Sequence, residues 1–596
     1  MNILNNPYFN ALKNIRDILD DDQKKRSTYM FGLMLINAFV DIAGLGGMAI
    51  LMQVIMDTNS IKEKWYLEFL YNLTGGSDMI TFLLILSISI FIFFLFKNFI
   101  SLIILYIQSR FSFNISLRLS QKMFQHYYDQ GYLYISDQDT GKKNYDVIIV
   151  PYYFASSYLM ETLLMSTEIV VLLLIFISLI IYNPIAIVFL IIFSLPILAI
   201  IYQLTKNKTK ALGEARNTVA PKAISVLIDS MNAYNDVVLT NKEQSFYENF
   251  SDQIKKLNSI DALQQGIFAK IHQRLNDIVL GLGLMVLLAY AYFFRENSSE
   301  ILVLMSVFAL AAYRMLPAIN RIMGSALAIK NVSYVIDELK VLNKRRLKHY
   351  KTVDSLHFNE KIVFDRIGFS YPGTDVEVLK DISFHLHKGE TIGFIGSSGS
   401  GKTTILHLFL RFLKENKGSI FLDSLQLGED NKASFQKMIG YVQQNVYIRN
   451  GTLRENIAFG QSDNEIDEIK LKKAVSDAML TEIVESHPEG IDIYLGENGV
   501  KLSGGQRQRV GIARALYKDA EILLFDEATS ALDHETEKAI VTTINHLAKL
   551  DKTIIIVAHR FTTLEMCDRI YELKDGAISA IYSYAQVQKM VLNKSE

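Results

Sequence analysis

A single cysteine, a single tryptophan and eight prolines are spread over 596 residues, and charged side chains make up only 21% of them. One thiol, Cys567, cannot close an internal disulfide, so a reducing compartment is expected on the side of the chain that carries it. A formal net charge of −1 lacks the basic excess that nucleic acid attracts, and no nucleic-acid partner is expected. No cleavable signal peptide is expected: residues 1–27 are polar and charged, and the first apolar run is too long for a signal core. Met1-Asn2 also lacks the glycine that myristoylation needs. There is no low-complexity tract and no short-period repeat.

What the chain does have is apolar length. Half of its residues are hydrophobic, and the long runs crowd the first 330 positions. A helix needs about 20 apolar residues to cross the hydrocarbon core. Six segments qualify: Tyr29–Met56, Met79–Gln108, Ser157–Tyr182, Pro184–Leu204, Leu275–Phe294 and Ile301–Val335. The links after the first, third and fifth are short. Those after the second and fourth run to about 50 and 70 residues, are rich in Lys and Arg, and keep a helical period. Lys24, Lys25 and Arg26 precede the first span, so the N-terminus and both long links are expected in the cytoplasm.

From about Phe358 short apolar runs alternate with helical patterns, the mark of strands buried on both faces by helices. The expected organisation is an α-helical six-span transmembrane domain over 1–336, a linker over 337–357 and an α/β domain over 358–596.

Chemistry concentrates in the α/β domain. Strand Thr391–Ile395 runs into Gly396-Ser397-Ser398-Gly399-Ser400-Gly401-Lys402-Thr403, and a helical stretch begins at Thr404. This is the phosphate-binding loop in its strand–loop–helix setting. Its glycines let backbone N–H groups converge on phosphate oxygens at a helix N-terminus. Lys402 is placed to neutralise the β- and γ-phosphates and Thr403 to ligate Mg²⁺. A second apolar strand, Ile522–Phe525, ends in Asp526 and Glu527. The first acid suits the metal, and the second can polarise an attacking water as a general base. The expected ligands are therefore ATP and Mg²⁺, with no other metal site because the histidines fall at no ligand spacing.

Leu502-Ser503-Gly504-Gly505-Gln506 before a helix is a highly specific signature, and with it the domain resembles the ABC transporter nucleotide-binding domain throughout its length. The resemblance implies that Tyr371 stacks on adenine and that Gln444 touches Mg²⁺ and the membrane domain. It implies that Ser530–Asp533 is the D-loop, with Asp533 at the nucleotide, and that His559 reads the γ-phosphate. Gln443 stands where the family usually has proline, and Tyr494 replaces the usual acid in the variant X-loop Ile493–Gly499. In this family the signature caps ATP held by a partner domain. One such domain per chain therefore implies a homodimer with two equivalent sites. The membrane half resembles the exporter half-transporters, whose long links bend in coupling helices. The candidates here are Asp139–Tyr145 and Met231–Val237.

The stretch Ala312–Ile322, together with Lys97 in span 2 and Arg274 at the start of span 5, resembles flippases of lipid-linked oligosaccharides. The implied function is ATP-driven movement of an amphipathic, lipid-linked substrate out of the cytoplasmic membrane. Lipid A-type lipids, drugs or peptides remain alternatives, as does an ATPase that gates a channel. Arg314 lies 13 residues into span 6, about 20 Å deep at 1.5 Å per residue. Arg314 and Arg321, with Lys97 and Arg274, are expected to hold an anionic group of the substrate; Asp41, Glu161, Glu168 and Asp277 are the acids available to pair with Arg314 instead. Apolar residues at 61, 65, 69 and 73 form one stripe of an expected external amphipathic helix.

Overall fold

The structure is a computed structural model that describes residues 7–56, 61, 64–74, 78–182, 184–268, 281, 285–286, 288–289, 298–344, 356–528, 534–550, 552–558 and 560–595. It divides into two compact units: Met1–Gln130 with Tyr134–Leu347, and Lys348–Glu596 with Gly131–Leu133.

The first unit is helical. Its long elements are α1 (Pro7–Ile18), α2 (Asp21–Met56), α3 (Trp65–Leu73), α4 (Met79–Gln130), α5 (Met160–Tyr182), α6 (Pro184–Asn232), α7 (Tyr234–Leu239), α8 (Glu243–Asp261) and α9 (Ser298–Asn331). Apolar residues at i, i+3, i+4 normally mark a face turned to a core. On α4 the reverse holds, because Ile80, Leu84, Ile88, Phe91, Leu95, Phe99 and Leu102 form such a stripe and all lie exposed. A contiguous apolar face of this length marks a surface that meets lipid or another protein rather than water. Among the described residues, three helical stretches are long and apolar enough to cross a membrane: Asp21–Ile55, Met79–Gln130 and Thr140–Ile181.

The spans and the long links are not separate elements. α4 runs 52 residues and α6 runs 49, far beyond the roughly 20 that a bilayer needs. The rise into α5 is helical from Thr140 and passes through two π-helical stretches, Tyr145–Ile149 and Phe154–Leu159. Most of the fifth expected span, Leu275–Phe294, lies outside the described residues. In the first long link, Asp139 caps the short helix Thr140–Asn144 and accepts a hydrogen bond from Ser225 of α6, inside the helical unit. In the second, α7 occupies the place expected of Met231–Val237, shifted by about three residues.

The helix expected over this segment forms as α3, with three of the four stripe residues on its open face. Leu67 is fully buried against Val54, Ile61 and Phe82, whereas Trp65, Phe69 and Leu73 are exposed. The segment WYLEFLYNL has apolar residues all round, so periodicity alone could not say which face packs.

The second unit is α/β. Its strands are β1 (Lys361–Ser370), β2 (Glu377–His387), β3 (Thr391–Gly396), β4 (Lys417–Leu422), β5 (Leu425–Gln426), β6 (Ile439–Val442), β7 (Ile522–Asp526), β8 (Thr553–Val557), β9 (Arg569–Lys574) and β10 (Ala577–Tyr582). They form an antiparallel sheet, β2-β1-β4-β5, and a second sheet ordered β10-β9-β3-β8-β7-β6. The strands from β9 to β6 run parallel, and every residue of β7 and β8 is buried. Continuous apolar strands of this kind must be covered on both faces. Here α10 (Lys402–Phe409), α11 (Gly504–Tyr517) and α12 (His534–Ala548) follow the strands. Ligand-binding loops of such sheets gather at the carboxyl ends of parallel strands, which is where β3 and β7 deliver their motifs.

Candidate functional site

The loop after β3 turns through Gly396, Gly399 and Gly401 at φ 153°, 79° and 104°. The latter two are left-handed angles that favour glycine. A Cβ on Gly401 would also sit 2.5 Å from Leu379, so this position is closed to side chains twice over. Lys402 opens α10 almost fully buried, its Nζ donating to the carbonyls of Gly396 at 3.0 Å and Ser397 at 2.9 Å. Burial pushes the Lys402 ammonium pKa down, and the charges of Glu527 and Asp526 oppose that shift. Ser400 is buried, yet its Oγ has no hydrogen-bond partner among the described residues. An orphaned donor inside a glycine cradle fits a phosphate oxygen. Ser397, Ser398 and Thr403 are exposed or half-buried on the same turn, while Thr404 is buried, 3.3 Å from the Tyr371 hydroxyl.

Asp526 ends β7, buried, and accepts a hydrogen bond from the Tyr441 hydroxyl on β6 at 3.0 Å. Burial pushes its carboxyl pKa up, and the Tyr441 bond works against that. Glu527 leaves the strand at φ 49°, an uncommon angle for a residue with a side chain. Its N–H is tied to the Val557 carbonyl at 2.9 Å, and its carboxylate accepts from Gln444 Nε2 at 3.1 Å. Gln444 and Glu527 therefore meet, and Lys402 and Asp526 belong to the same electrostatic group. The hydroxyl of Thr403, the Asp526 carboxylate and the Gln444 amide are hard oxygen donors suited to Mg²⁺, which would supply charge neutralisation for phosphates there.

The signature is built as a helix start. Ser503 caps α11: its Oγ accepts from Gln506 N at 3.2 Å, and Gln506 Oε1 accepts from Ser503 N at 2.8 Å. This reciprocal box leaves the first N–H groups of α11 pointing outward from an exposed end. Gly504 opens the helix, and Gly505 is buried against α12, where a Cβ would meet Thr536 at 1.8 Å. His559, Asp533 and Arg274 lie outside the described residues.

Three contributors were not visible in the motifs. Tyr441 holds Asp526. Buried Gln508 donates to the carbonyls of Gln443 at 3.1 Å and Gln444 at 2.6 Å, fixing the backbone that carries Gln444. Glu537, buried on α12, takes hydrogen bonds from Arg560 and Thr562, on either side of Phe561. Each partner is far away in sequence, so spacing carries no signal for it.

The membrane unit holds a second constellation. Asp41 of α2 accepts from Lys97 of α4 at 2.7 Å and from Arg314 of α9 at 2.7 Å. Glu168 of α5 accepts from Arg314 at 3.0 Å and from Arg321 at 2.8 Å. Of the cations expected to hold an anionic group, Arg314 and Lys97 are mostly buried and paired with carboxylates, Arg314 with two of the acids named as its possible partners, Asp41 and Glu168. A guanidinium deep in a membrane is costly unless paired, and the acids of neighbouring helices supply the pairs. Glu161 instead takes a hydrogen bond from Ser325. Only Arg321 of the three is half exposed.

A phosphate cradle, two terminal acids and a capped signature helix, joined to a helical domain with helices long and apolar enough to cross a membrane, point to a nucleotide-binding membrane protein. Comparison with known families agrees. The profile "ABC transporter transmembrane region" matches residues 28–314, and "ABC transporter" matches residues 379–530. The chain belongs to the ABC transporters, with the membrane region fused to the nucleotide-binding domain. The ATP-dependent lipid A-core flippase of Cupriavidus pinatubonensis is 30% identical over 65% of this chain and 65% of its own length. That of Alkalilimnicola ehrlichii is 45% identical over 36% of each. The structure of a bacterial Atm1-family ABC exporter with ATP bound superposes with a TM-score of 0.79, covering 96% of this chain and 97% of that one at 20% identity. That last likeness speaks for the fold.

Proposed function

We propose that the protein is an ATP-driven exporter that moves an amphipathic lipid with an anionic headgroup to the outer leaflet of the cytoplasmic membrane. In this reading the nucleotide-binding domain and N-terminus lie in the cytoplasm. The observation that carries it is the pairing of a phosphate-binding loop and a positioned carboxylate, Glu527, with a membrane-embedded cluster of three cations and two carboxylates. The cradle 396–404 and Tyr371 hold ATP, and Thr403, Asp526 and Gln444 hold Mg²⁺. Glu527 orients the attacking water, and His559 and Asp533 complete the site by family likeness. Ser503–Gln506 of one copy close on the nucleotide of a second copy, so the working unit is a homodimer. A helix N-terminus with unpaired N–H groups is suited to a γ-phosphate.

For the substrate, similarity to lipid A-core flippases favours a lipid A-type molecule over a lipid-linked oligosaccharide. Both carry phosphate near the lipid, so the cluster suits either, and likeness to the relatives is what favours the first. The test is ATP hydrolysis by the purified protein in nanodiscs, titrated with lipid A-core or with a polyprenyl-diphosphate oligosaccharide. Stimulation by the first at lower concentration is expected. Stimulation by the second alone would restore the oligosaccharide, and stimulation by neither would set the lipid reading aside.

A further inference from the structure

The intramembrane cluster is unequal in how tightly it is tied. Asp41 spends one oxygen on Lys97 and the other on Arg314, each at 2.7 Å. Arg314 is spent in turn, with Nη2 on Asp41 and Nη1 on Glu168. The side chains of Lys97, Arg314, Asp41 and Glu168 are 8–14% exposed, whereas that of Arg321 is 53% exposed. The one contact reaching the surface is therefore between Glu168 Oε1 and Arg321 Nε, at 2.8 Å. Breaking any inner contact would strand a buried charge, which is strongly destabilising. Breaking the outer one buries no unpaired charge, because Glu168 keeps Arg314 through Oε2 and the Arg321 side chain is already half exposed. Among the described residues the cluster also has one cation more than it has carboxylates, so an arriving anion neutralises that excess.

We propose that Glu168 is a built-in counter-ion that occupies Arg321 until the anionic headgroup of a lipid displaces it. Glu168 thereby sets both the affinity and the charge selectivity of the membrane site. Arg321 suits the exchange because a guanidinium offers a planar fork of donors to phosphate oxygens. Arg314 is a positioning residue that holds Glu168 in reach after the exchange, and Asp41 with Lys97 anchors Arg314. This rests on the transport reading above for its purpose, but not for its measurement.

The experiment is binding of a fluorescent phosphatidic acid to the full-length, nucleotide-free protein in phosphatidylcholine nanodiscs, with fluorescent phosphatidylcholine as the control probe. Glu168→Gln removes the competing charge and keeps a hydrogen-bonding side chain, and is expected to tighten phosphatidic acid binding about tenfold. Phosphatidylcholine binding should not change. Arg321→Gln should abolish the preference for phosphatidic acid, and in the double variant the gain from Glu168→Gln should vanish. Should Glu168→Gln not fold, Glu168→Asp, one methylene shorter and still charged, draws the carboxylate back from Arg321 as well as from Arg314; it should tighten binding in the same direction, by less. Unchanged binding in these Glu168 variants, or a gain that persists without Arg321, would overturn the proposal. Because no transport is read, an inactive transporter would count against the proposed function and leave this result to stand or fall alone.

Discussion

At φ 49° the Glu527 backbone is held by one hydrogen bond to Val557 and its carboxylate by Gln444. Non-glycine residues in this region cost on the order of 1–3 kcal/mol and persist where surrounding structure fixes them. The strain places a carboxylate beyond the strand end, beside Asp526 but not in its hydrogen bond to Tyr441. Glu527→Gln is accordingly expected to bind ATP nearly as the parent does and to hydrolyse it about 10²–10⁴-fold more slowly, the usual contribution of a positioned base. Lys402→Ala should lose nucleotide binding itself, which separates the two roles in an equilibrium binding assay. A third residue makes a pH prediction. Burial pushes the Asp423 carboxyl up, but backbone N–H bonds from Lys361, Asn359 and Glu360 outweigh it and hold the pKa below the usual value. A depressed carboxylate stabilises the fold above its unfolded pKa and loses that contribution as pH falls through the folded value. The Tm gap between the parent and Asp423→Asn should therefore be steady above about pH 5 and shrink below the ordinary carboxylate range. The placing of Lys402 on the loop after β3 and of Glu527 at the end of β7 was legible because each motif follows its own strand at fixed spacing. Tyr441, Gln508 and Glu537 were not, since each reaches its partner only after the sheet and helices have assembled.

Among the elements, the long helices were readable as spans but not as single rods. Hydropathy marks where lipid begins and ends, whereas α4 continues for 22 residues beyond Gln108 on helical pattern alone. The nine-residue α3 has apolar residues on every side, so its stripe through Trp65, Phe69 and Leu73 was legible but the buried anchor, Leu67, was not. Where helix 140–144 meets α6 there is no room to spare. A Cβ on Gly141 would lie 2.6 Å from the Pro221 carbonyl and 2.9 Å from Ser225 N. Both are backbone atoms, so neither can turn aside. Gly141→Val should destabilise the helical unit by about 1–3 kcal/mol, the range for overpacking. Hydrogen exchange across 139–149 and 219–227 measures it; unchanged protection there would mean that the helix tolerates displacement from α6.

For the whole molecule, the exposed cap of α11 is the feature that a single chain does not explain. Among the described contacts the Ser503 side chain bonds to Gln506 of its own helix start, and the residue is exposed. If it completes a second copy's site, Ser503→Arg should abolish hydrolysis while each chain still binds ATP. Mixing that variant with Lys402→Ala should then restore about one competent site in mixed dimers. The Arg314 pairs were only partly legible, because Asp41, Lys97, Glu168 and Arg314 come from four different helices and only the fold selects these acids over Glu161. The central claim is that hydrolysis drives lipid across the membrane. Its most direct measurement is the appearance of fluorescent lipid A-core in the ATP-free leaflet of proteoliposomes, followed by a quencher confined to that side. The account predicts ATP-dependent transfer by the parent protein and none by Glu527→Gln. Equal transfer by both, or steady hydrolysis with no lipid moved, would contradict it.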